Sequence, residues 1–324
     1  MSETVPTAQA SSERFFSEDF LRRLERLALI ARRASVGQTQ GERRSPKRGQ
    51  SVEFADFRPY VAGDDFRRID WNAYARLERF FIKLFVEEED LTRHLLIDTS
   101  RSMHWGEPNK LRYAAQVAGA LGYIALAGLD RVTVSAVGGT GAKLPNGGYF
   151  APHRGKRQAL ALFNFLQALS RPGDEQGAPA VDPAQALRAY ASTRALAAGS
   201  SSAAATRPGS LILLSDFQHD GWVEGLRALA TRGFEISVIH LLAPEELDPV
   251  LDGDLKLVDS EDAAAVEITA DYDLLSRYKQ GLAAWQDSLR SFCLARGILY
   301  IPLSTAMPLE ELLFAWLERQ GVIR

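Results

Sequence analysis

Short apolar runs alternate with helical patterns along most of this sequence, and that alternation restricts the fold more than any other feature. Three mostly apolar runs have strand length, and the first and last end at a carboxylate: 94–98 (HLLID), 131–137 (RVTVSAV) and 211–216 (LILLSD). Strands that are apolar on both faces and separated by helices form a mainly parallel sheet covered on both sides. The sequence therefore predicts a three-layer, Rossmann-like α/β domain that binds ligands at the carboxyl ends of its strands.

The remaining elements follow from periodicity and from residues typical of helix ends. The patterns predict helices at 110–128, 155–170, 183–197, 221–232, 272–296 and 308–319, and further strands at 235–241 and 298–301. Ser17, followed by two acidic residues, predicts the start of an amphipathic helix whose apolar face includes Leu24. Residues 51–86 mix aromatic and charged residues at short spacing, which predicts short strands and loops. An acidic hairpin is predicted at 255–260 and 266–270.

These patterns divide the chain into five regions. Residues 1–19 are expected to be disordered, 20–90 to hold an N-terminal helix and a β-rich region, 91–242 to form the core, 243–271 to form an acidic hairpin, and 272–324 to add a helix–strand–helix that completes the core. The N-terminal strands and the hairpin are expected to form a smaller β-rich flank together.

Composition excludes several classes of protein. With 41 acidic side chains and 38 lysine and arginine side chains among 324 residues, the formal net charge is −3, which gives no case for a nucleic-acid-binding protein. The single cysteine, Cys293, excludes an internal disulfide framework and a multi-cysteine metal site. Residues 1–19 lack a secretory signal, and the longest apolar run, 114–129, is shorter than the about 20 residues that cross a bilayer. We therefore expect a cytoplasmic protein with no membrane span, in which this run is a buried helix.

Charge is distributed unevenly along the chain. Residues 21–48 hold nine basic and two acidic side chains, a net charge of +7, whereas residues 245–273 hold eleven acidic side chains and one lysine, a net charge of −10. Such asymmetry is typical of segments that dock on each other or on separate partners, and two solvated faces are the alternative. The basic segment lacks interleaved aromatic residues, which disfavours a role in binding single-stranded nucleic acid.

The strongest candidate site is the sequence DTSRS, which begins at Asp98 where the first apolar run ends. It places one carboxylate and the hydroxyls of Ser100 and Ser102 on a loop at the carboxyl end of a strand. Asp216 ends another strand at the same edge, so it can supply a second carboxylate directly or through water. Because Mg²⁺ takes about six oxygen ligands and keeps several waters, this pattern predicts a site for Mg²⁺ or Mn²⁺.

The arrangement resembles the metal-ion-dependent adhesion site of von Willebrand factor A domains, over roughly residues 91–242. The resemblance implies that a divalent cation binds at the sheet edge and keeps one coordination position for a partner's carboxylate. The family pattern also has a threonine before the strand of Asp216, and Val181 falls at that position. Valine keeps the shape but lacks the oxygen, so metal binding would be weak, would use water or Asp182 instead, or would be lost.

A second resemblance extends from about residue 20 to the end of the chain. It rests on GERRS (41–45), RGQSVEF (48–54) and above all GDDFRRIDWNAYAR (63–76). These motifs resemble the signature of a bacterial family, domain of unknown function 58, which joins them to a von Willebrand factor A-like domain. The resemblance implies a partner, since genes of this family commonly lie beside MoxR-type AAA+ ATPases that are thought to act as chaperones in the assembly or maturation of protein complexes.

The signature segment also has a physical meaning of its own. Its charged residues can form bidentate ion pairs and its aromatic residues supply apolar area. The residues concerned are Gly63, Asp64, Asp65, Arg67, Arg68, Asp70, Trp71, Tyr74 and Arg76. They favour a clamp that holds the N-terminal segment on the main sheet, and a surface that docks a partner is the alternative.

Common enzyme signatures are missing from the sequence, which has no G-x-S-x-G elbow, Walker-type phosphate loop or H-E-x-x-H motif. We therefore expect a non-enzymatic adaptor that contacts a MoxR-type ATPase and a client protein through Asp98, Ser100, Ser102, Asp182 and Asp216. Two alternatives are a metal-dependent hydrolase built on the same carboxylates and a structural subunit that self-associates through its charged segments.

Overall fold

The computed structural model describes residues 15–38, 53–61, 66, 69–86, 92–139, 145–171, 182–197, 209–219, 221–259 and 264–319. The helices are α1 (Glu18–Gln38), α2 (Trp71–Leu77), α3 (Lys110–Ala127), α4 (Ala159–Leu169), α5 (Pro183–Ala197), α6 (Trp222–Ala230), α7 (Pro244–Leu247), α8 (Tyr272–Leu294) and α9 (Leu309–Arg319). The strands are β1 (Glu53–Pro59), β2 (Phe81–Val86), β3 (Thr92–Asp98), β4 (Arg131–Val137), β5 (Tyr149–Arg154), β6 (Ser210–Ser215), β7 (Glu235–Leu242), β8 (Gly253–Val258), β9 (Ala265–Ala270) and β10 (Leu299–Ser304). The chain forms two compact units, residues 1–36 with 91–324, and residues 37–90.

The first unit is built on a six-stranded sheet in the order β10-β7-β6-β3-β4-β5. Neighbouring strands from β10 to β4 are parallel, and β5 closes the edge antiparallel to β4. The prediction of an α/β fold with a mainly parallel sheet is confirmed. β5 is not predicted from the sequence, because this segment contains Pro152. Proline lacks an amide hydrogen, and β5 tolerates it because it is an edge strand.

Helices cover both faces of this sheet, as the apolar strands predict. Successive residues of a strand point to opposite faces. Leu95 and Ile97 of β3 therefore pack into a core shared with α1, α3, α4 and α9, whereas Leu96 packs into a second core shared with α5, α6 and α8. The first unit is thus a three-layer structure with one hydrophobic core on each side of the sheet.

The longest apolar run forms a buried helix, as predicted. In α3, Val117, Ala118 and Leu121 are among many buried residues. Gly122 brings the helix close to α4 and to the sheet, since a β-carbon there would lie 2.7 Å from Leu162 Cδ2 of α4 and 3.3 Å from Leu95 Cδ1 of β3. Within the residues that the structure describes, no helix combines the length and apolar character needed to cross a membrane.

The N-terminal helix belongs to the first unit. The amide of Phe20 donates a hydrogen bond to Ser17 Oγ at 3.1 Å, which confirms the predicted start of α1. Leu24 is fully buried, so α1 packs into the core of the first unit. The prediction of disorder up to residue 19 is wrong at Phe15 and Phe16, because both rings are buried and their apolar area favours ordering of the backbone.

The second unit contains two antiparallel strands and one short helix, in keeping with the prediction for 51–86. Asp70 begins α2, and its Oδ1 accepts hydrogen bonds from the amides of Asn72 at 2.8 Å and Ala73 at 3.1 Å. Tyr74 stacks on Phe80 with ring centroids 4.4 Å apart. The capping carboxylate and the aromatic stack therefore both stabilise the local fold.

The signature residues divide between this helix and positions outside the described residues. Asp70 is the N-cap of α2, and Trp71, Tyr74 and Arg76 lie within it. The remaining signature residues, for which the structure gives no description, are Gly63, Asp64, Asp65, Arg67 and Arg68.

The acidic hairpin forms at the predicted place, as β8 and β9. It is a two-stranded sheet of its own in the first unit, and β1 with β2 is another such sheet in the second unit. The expectation that these strands form one β-rich flank is therefore wrong. In each pair, hydrogen bonding to the other strand satisfies the inner edges of both strands.

Candidate active edge of the sheet

The predicted polar residues lie at the carboxyl ends of two neighbouring strands. β3 ends at Asp98, and β6 ends at Ser215, which precedes Asp216. The two strands pair in parallel, so their carboxyl ends meet at the same edge of the sheet. Asp98 is 2% exposed and Asp216 is 0% exposed. The candidate site is therefore built from buried polar groups.

The carboxylate of Asp98 is held from both strand ends. Its Oδ1 accepts a hydrogen bond from the amide of Ser100 at 2.9 Å, and its Oδ2 accepts one from Ser215 Oγ at 2.5 Å. Ser215 Oγ in turn accepts a hydrogen bond from the amide of Phe217 at 2.9 Å. These contacts fix both oxygens of Asp98 and tie the loop after β3 to the loop after β6.

The two serines of the DTSRS loop converge beside Asp98. Ser100 Oγ lies 3.0 Å from Ser102 Oγ, and both residues are buried. The structure thus brings together one carboxylate and two hydroxyls from a single short loop. Among the described residues there is no group of three or more His, Cys, Asp or Glu side chains that could hold a metal ion. A cation at this edge would therefore depend on the serine hydroxyls.

Asp216 lies at the predicted edge, but a buried lysine engages one of its oxygens. Lys110 Nζ lies 2.8 Å from Asp216 Oδ2 and 2.6 Å from Glu246 Oε1. Lys110 is 0% exposed and is the first residue of α3. Its ammonium group is therefore a fixed positive charge between two carboxylates from different loops.

Neither Lys110 nor Glu246 is predicted from the sequence as a site residue. The helical spacing could have indicated Lys110. It lies four residues before Ala114 and seven before Val117, which places it on the buried face of α3, where a charged residue is unusual. Glu246 gives no such signal, because it is one of eleven acidic residues between 245 and 273.

Hydrogen bonds from three directions hold Glu246 in place. Its Oε2 accepts from the amide of Ala243 at 2.7 Å, and its Oε1 accepts from Gln218 Nε2 at 2.8 Å. The hydroxyl of Tyr278 donates to the backbone carbonyl of Glu246 at 2.7 Å. The turn after β7 is therefore joined to the site, which spans the ends of β3, β6 and β7.

The site carries more negative than positive charge. The pKa of Asp98 is raised to about 6, first because the carboxylate is buried and second because Asp216 is negatively charged, while hydrogen bonds to its oxygens act in the opposite direction. Lys110 balances only part of the combined charge of Asp98, Asp216 and Glu246 at neutral pH. An additional cation would therefore be stabilised at this edge.

Two further segments approach Asp98 closely. Gly138 has a φ of 74°, and a β-carbon there would lie 3.1 Å from Asp98 Oδ1 and 3.3 Å from Pro183 Cγ. Asp182, which is expected to bind the partner or to replace a missing metal ligand, directly precedes Pro183. Its Oδ1 accepts a hydrogen bond from the amide of Ala184 at 2.9 Å. Asp182 thus caps α5 near the site, while Val181 lies outside the described residues.

Known proteins similar to this chain were found by sequence and by structure. Residues 56–287 match the family described as protein of unknown function DUF58. Uncharacterized proteins of Mycobacterium tuberculosis (Rv1480) and Mycobacterium bovis (Mb1516) are 26% identical over 270 residues, which cover 81% of this chain and 77% of each relative.

Two solved structures are also similar. They are the conserved hypothetical protein BatB from Bacteroides thetaiotaomicron and an aerotolerance-related membrane protein from Bacteroides fragilis with multiple mutations to serines. Each is 14% identical with a TM-score of 0.37. The matches cover 71% and 72% of this chain and 99% and 98% of the respective structures.

Proposed function

We propose that this chain, which belongs to the family of proteins of unknown function DUF58, is a non-enzymatic adaptor that binds a protein partner through the loops at one sheet edge. The observation that carries this proposal is the convergence of Asp98, Ser100 and Ser102 at the carboxyl end of β3, beside Asp216. The carboxyl edge is where open parallel sheets bind their ligands. The same arrangement supports a von Willebrand factor A-like domain with an adhesion-site-like motif.

The chemistry of these side chains fits a hard divalent cation. A carboxylate and two hydroxyls supply oxygen ligands of the kind that Mg²⁺ and Mn²⁺ prefer, and the site has negative charge left to balance. In this proposal Asp98, Ser100 and Ser102 hold the ion directly, and Asp216, already paired with Lys110, acts through water. A bound ion would supply a positive centre for a carboxylate of the partner.

The depth of the site determines how a partner reaches it. Asp98 and Ser102 are 2% and 5% exposed, so a protein surface cannot cover them extensively. Exposed groups surround them: Trp105 is 49% exposed, the side chain of Asp182 is 50% exposed, and Gln218 is exposed. We expect these outer residues to supply contact area and the buried oxygens to supply the selective contact.

The hydrogen bonds of the site favour binding over hydrolysis. Both oxygens of Asp98 already accept hydrogen bonds from the protein. His240 packs next to Asp216, but its Nδ1 lies 2.7 Å from the Tyr300 hydroxyl oxygen, and burial lowers its pKa to about 4. A histidine with such a pKa is a weak proton acceptor at neutral pH.

The partner proposed here is a MoxR-type AAA+ ATPase, with a client protein as the second ligand. Support comes from the family resemblance, in which the two kinds of gene are commonly neighbours. In this proposal the chain works in the cytoplasm and links the ATPase to its client during assembly or maturation of a protein complex.

Asp98→Ala is expected to weaken binding to the ATPase by at least about tenfold, equivalent to about 1.4 kcal/mol. The substitution removes the carboxylate that orders the loop and that would hold an ion. Surface plasmon resonance with the purified MoxR-type ATPase of the same genome, in ATP and Mg²⁺, measures the change. The matched control is Asp287→Ala on α8, where the side chain is 69% exposed. Equal binding by both variants, or no binding by the wild type, would contradict the proposal.

Calorimetric titration of Mg²⁺ and Mn²⁺ tests the cation separately. The wild type is expected to bind weakly, and Asp98→Ala not at all. Val181→Thr adds the oxygen that the adhesion-site pattern contains, so it is expected to raise affinity about tenfold, or about 1.4 kcal/mol. If neither the wild type nor Val181→Thr releases or absorbs heat, the cation is removed from the proposal, and the ATPase contact is then judged on the binding experiment alone.

A further inference from the structure

The acidic hairpin presents an apolar face that stays partly exposed: Leu255 and Ile268 are half-buried, and the next pair along the strands is exposed. In the register of β8 and β9, Leu255 lies opposite Ile268 and Leu257 lies opposite Val266, so the four side chains share one face. Leu257 is 45% exposed and Val266 is 60% exposed. Among the residues of β8 and β9, all of which the structure describes, Ala270 is the buried one. Because a lone two-stranded hairpin is only marginally stable in water, this hairpin face (Leu255, Leu257, Val266, Ile268) has the character of a binding surface.

The charge around the hairpin face limits what can bind there. Asp254 and Glu267 lie on the opposite face of the two strands, and residues 245–273 together have a net charge of −10. Lys256, the one basic residue of this segment, lies opposite Glu267. Two hairpins from two copies would repel each other, so the occupant must combine apolar side chains with positive charge.

The outer face of α1 has this combination. Leu29 is 55% exposed and Ile30 is 45% exposed. Arg22 and Arg26 are exposed as well. Arg22 lies seven residues before Leu29, and Arg26 lies four residues before Ile30, so all four residues lie on one side of the helix. Leu24 faces the opposite way and is buried in the core. A surface helix normally keeps its outer side polar, and two adjacent exposed aliphatic residues flanked by arginines depart from that rule.

We propose that the hairpin face of one copy binds the outer face of α1 (Arg22, Arg26, Leu29, Ile30) of a second copy. The apolar residues of the two faces pack together, and the acidic segment attracts the basic helix. Both faces are exposed in the same chain, so neither covers the other within one molecule. The contact joins two different surfaces, so association either closes into a ring of copies or leaves one hairpin face and one helix face open to further copies. This inference does not depend on the DTSRS site.

Light scattering coupled to size exclusion tests the contact on the full chain. At about 50 mM salt, the weight-average mass is expected to rise well above the monomer mass of 35.7 kDa as the concentration increases from about 1 to about 100 µM. At about 500 mM salt the mass is expected to return toward that of the monomer, because screening weakens the attraction. A wild type that stays monomeric at low salt, or an association that salt does not weaken, would overturn the proposal.

Two double variants identify the surfaces. Leu257→Thr with Val266→Thr keeps the strand propensity of the hairpin, and Leu29→Gln with Ile30→Gln keeps the helix propensity of α1. Each double variant alone is expected to weaken association by more than about tenfold. The control is Leu294→Ser, since Leu294 is 70% exposed at the C-terminal end of α8, about 30 Å along that helix from the hairpin, and α8 packs in the core on the opposite side of the sheet from α1.

Mixing the two double variants gives the decisive result. The hairpin variant keeps an intact helix face and the helix variant keeps an intact hairpin face, so only one productive contact is possible. The mixture is expected to form a complex of two chains and nothing larger. A mixture that stays monomeric, or variants that associate like the wild type, would overturn the inference. Arg22→Glu with Arg26→Glu, which alters only exposed charges, provides an independent test if an apolar variant does not fold.

Discussion

Replacing Lys110 with methionine is expected to lower the free energy of unfolding by about 3–5 kcal/mol. Methionine keeps much of the apolar stem but removes the ammonium group that lies 2.8 Å from Asp216 Oδ2 and 2.6 Å from Glu246 Oε1. The side chains of these two acids are 0% and 12% exposed, so both would be left in the interior with unbalanced charge. Urea denaturation followed by circular dichroism measures the loss.

The matched control for this prediction is a lysine with the same kind of partner at the surface. Lys279 pairs with Asp248, and their side chains are 52% and 77% exposed, so Lys279→Met is expected to cost less than about 1 kcal/mol. Changing Lys110→Met together with Asp216→Asn and Glu246→Gln is expected to recover most of the loss, since no unpaired charge then stays buried. A loss below about 1 kcal/mol for Lys110→Met alone would show that Lys110 is not the counter-ion of these acids.

Most of the parallel sheet could be predicted because its strands are apolar on both faces, a pattern that few other structures produce. β4 has the predicted bounds, 131–137, for this reason. β5 could not be predicted, because an edge strand packs less of its surface and tolerates Pro152. The docking of α1 and the residues before it on the core also escapes local patterns, since it depends on distant contacts such as that between Phe16, two residues before α1, and Phe163, whose ring centroids are 5.0 Å apart.

Local spacing and strand direction predict only part of the candidate site. Asp98, Ser100 and Ser102 lie in one short loop, and Asp216 follows from the rule that parallel strands end at the same edge. The contact between Lys110 and Glu246 joins residues 136 positions apart, and only the assembled fold brings the turn after β7 to the start of α3. The charge balance of the site therefore could not be derived from the sequence.

Replacing Asp98 with asparagine is expected to raise stability and abolish binding. The pKa of Asp98 is raised from 3.8 to about 6, so the folded protein keeps this carboxylate ionised at neutral pH where burial disfavours the charge. One pKa unit corresponds to about 1.4 kcal/mol, so the cost in metal-free protein reaches about 3 kcal/mol. Asparagine removes the charge, and it can accept a hydrogen bond from the Ser100 amide and donate one to Ser215 Oγ. The variant is therefore expected to be about 1–3 kcal/mol more stable at about pH 7.5 in the presence of a chelator.

The stability gain of Asp98→Asn is expected to increase with pH, because the pKa of Asp98 is raised in the folded protein. A carboxyl group whose pKa is higher in the folded state contributes its full stabilisation below its unfolded value of 3.8 and loses it as the pH rises through about 6. The difference between Asp98→Asn and the wild type should therefore be small near pH 4 and largest above about pH 7. Denaturant titrations at both pH values, with chelator, measure it.

Asp216→Asn is the matched control, because Asp216 is equally buried at the same edge but is paired with Lys110. This variant is expected to lose stability, since it leaves the lysine with Glu246 as its remaining partner. Asp98→Asn should also lose Mg²⁺ and ATPase binding, because a neutral amide cannot replace the carboxylate. A variant that gains stability and loses binding is characteristic of a group retained for function rather than for folding. An Asp98→Asn protein that is less stable than the wild type at about pH 7.5, or that binds the partner equally well, would show that Asp98 serves the fold instead.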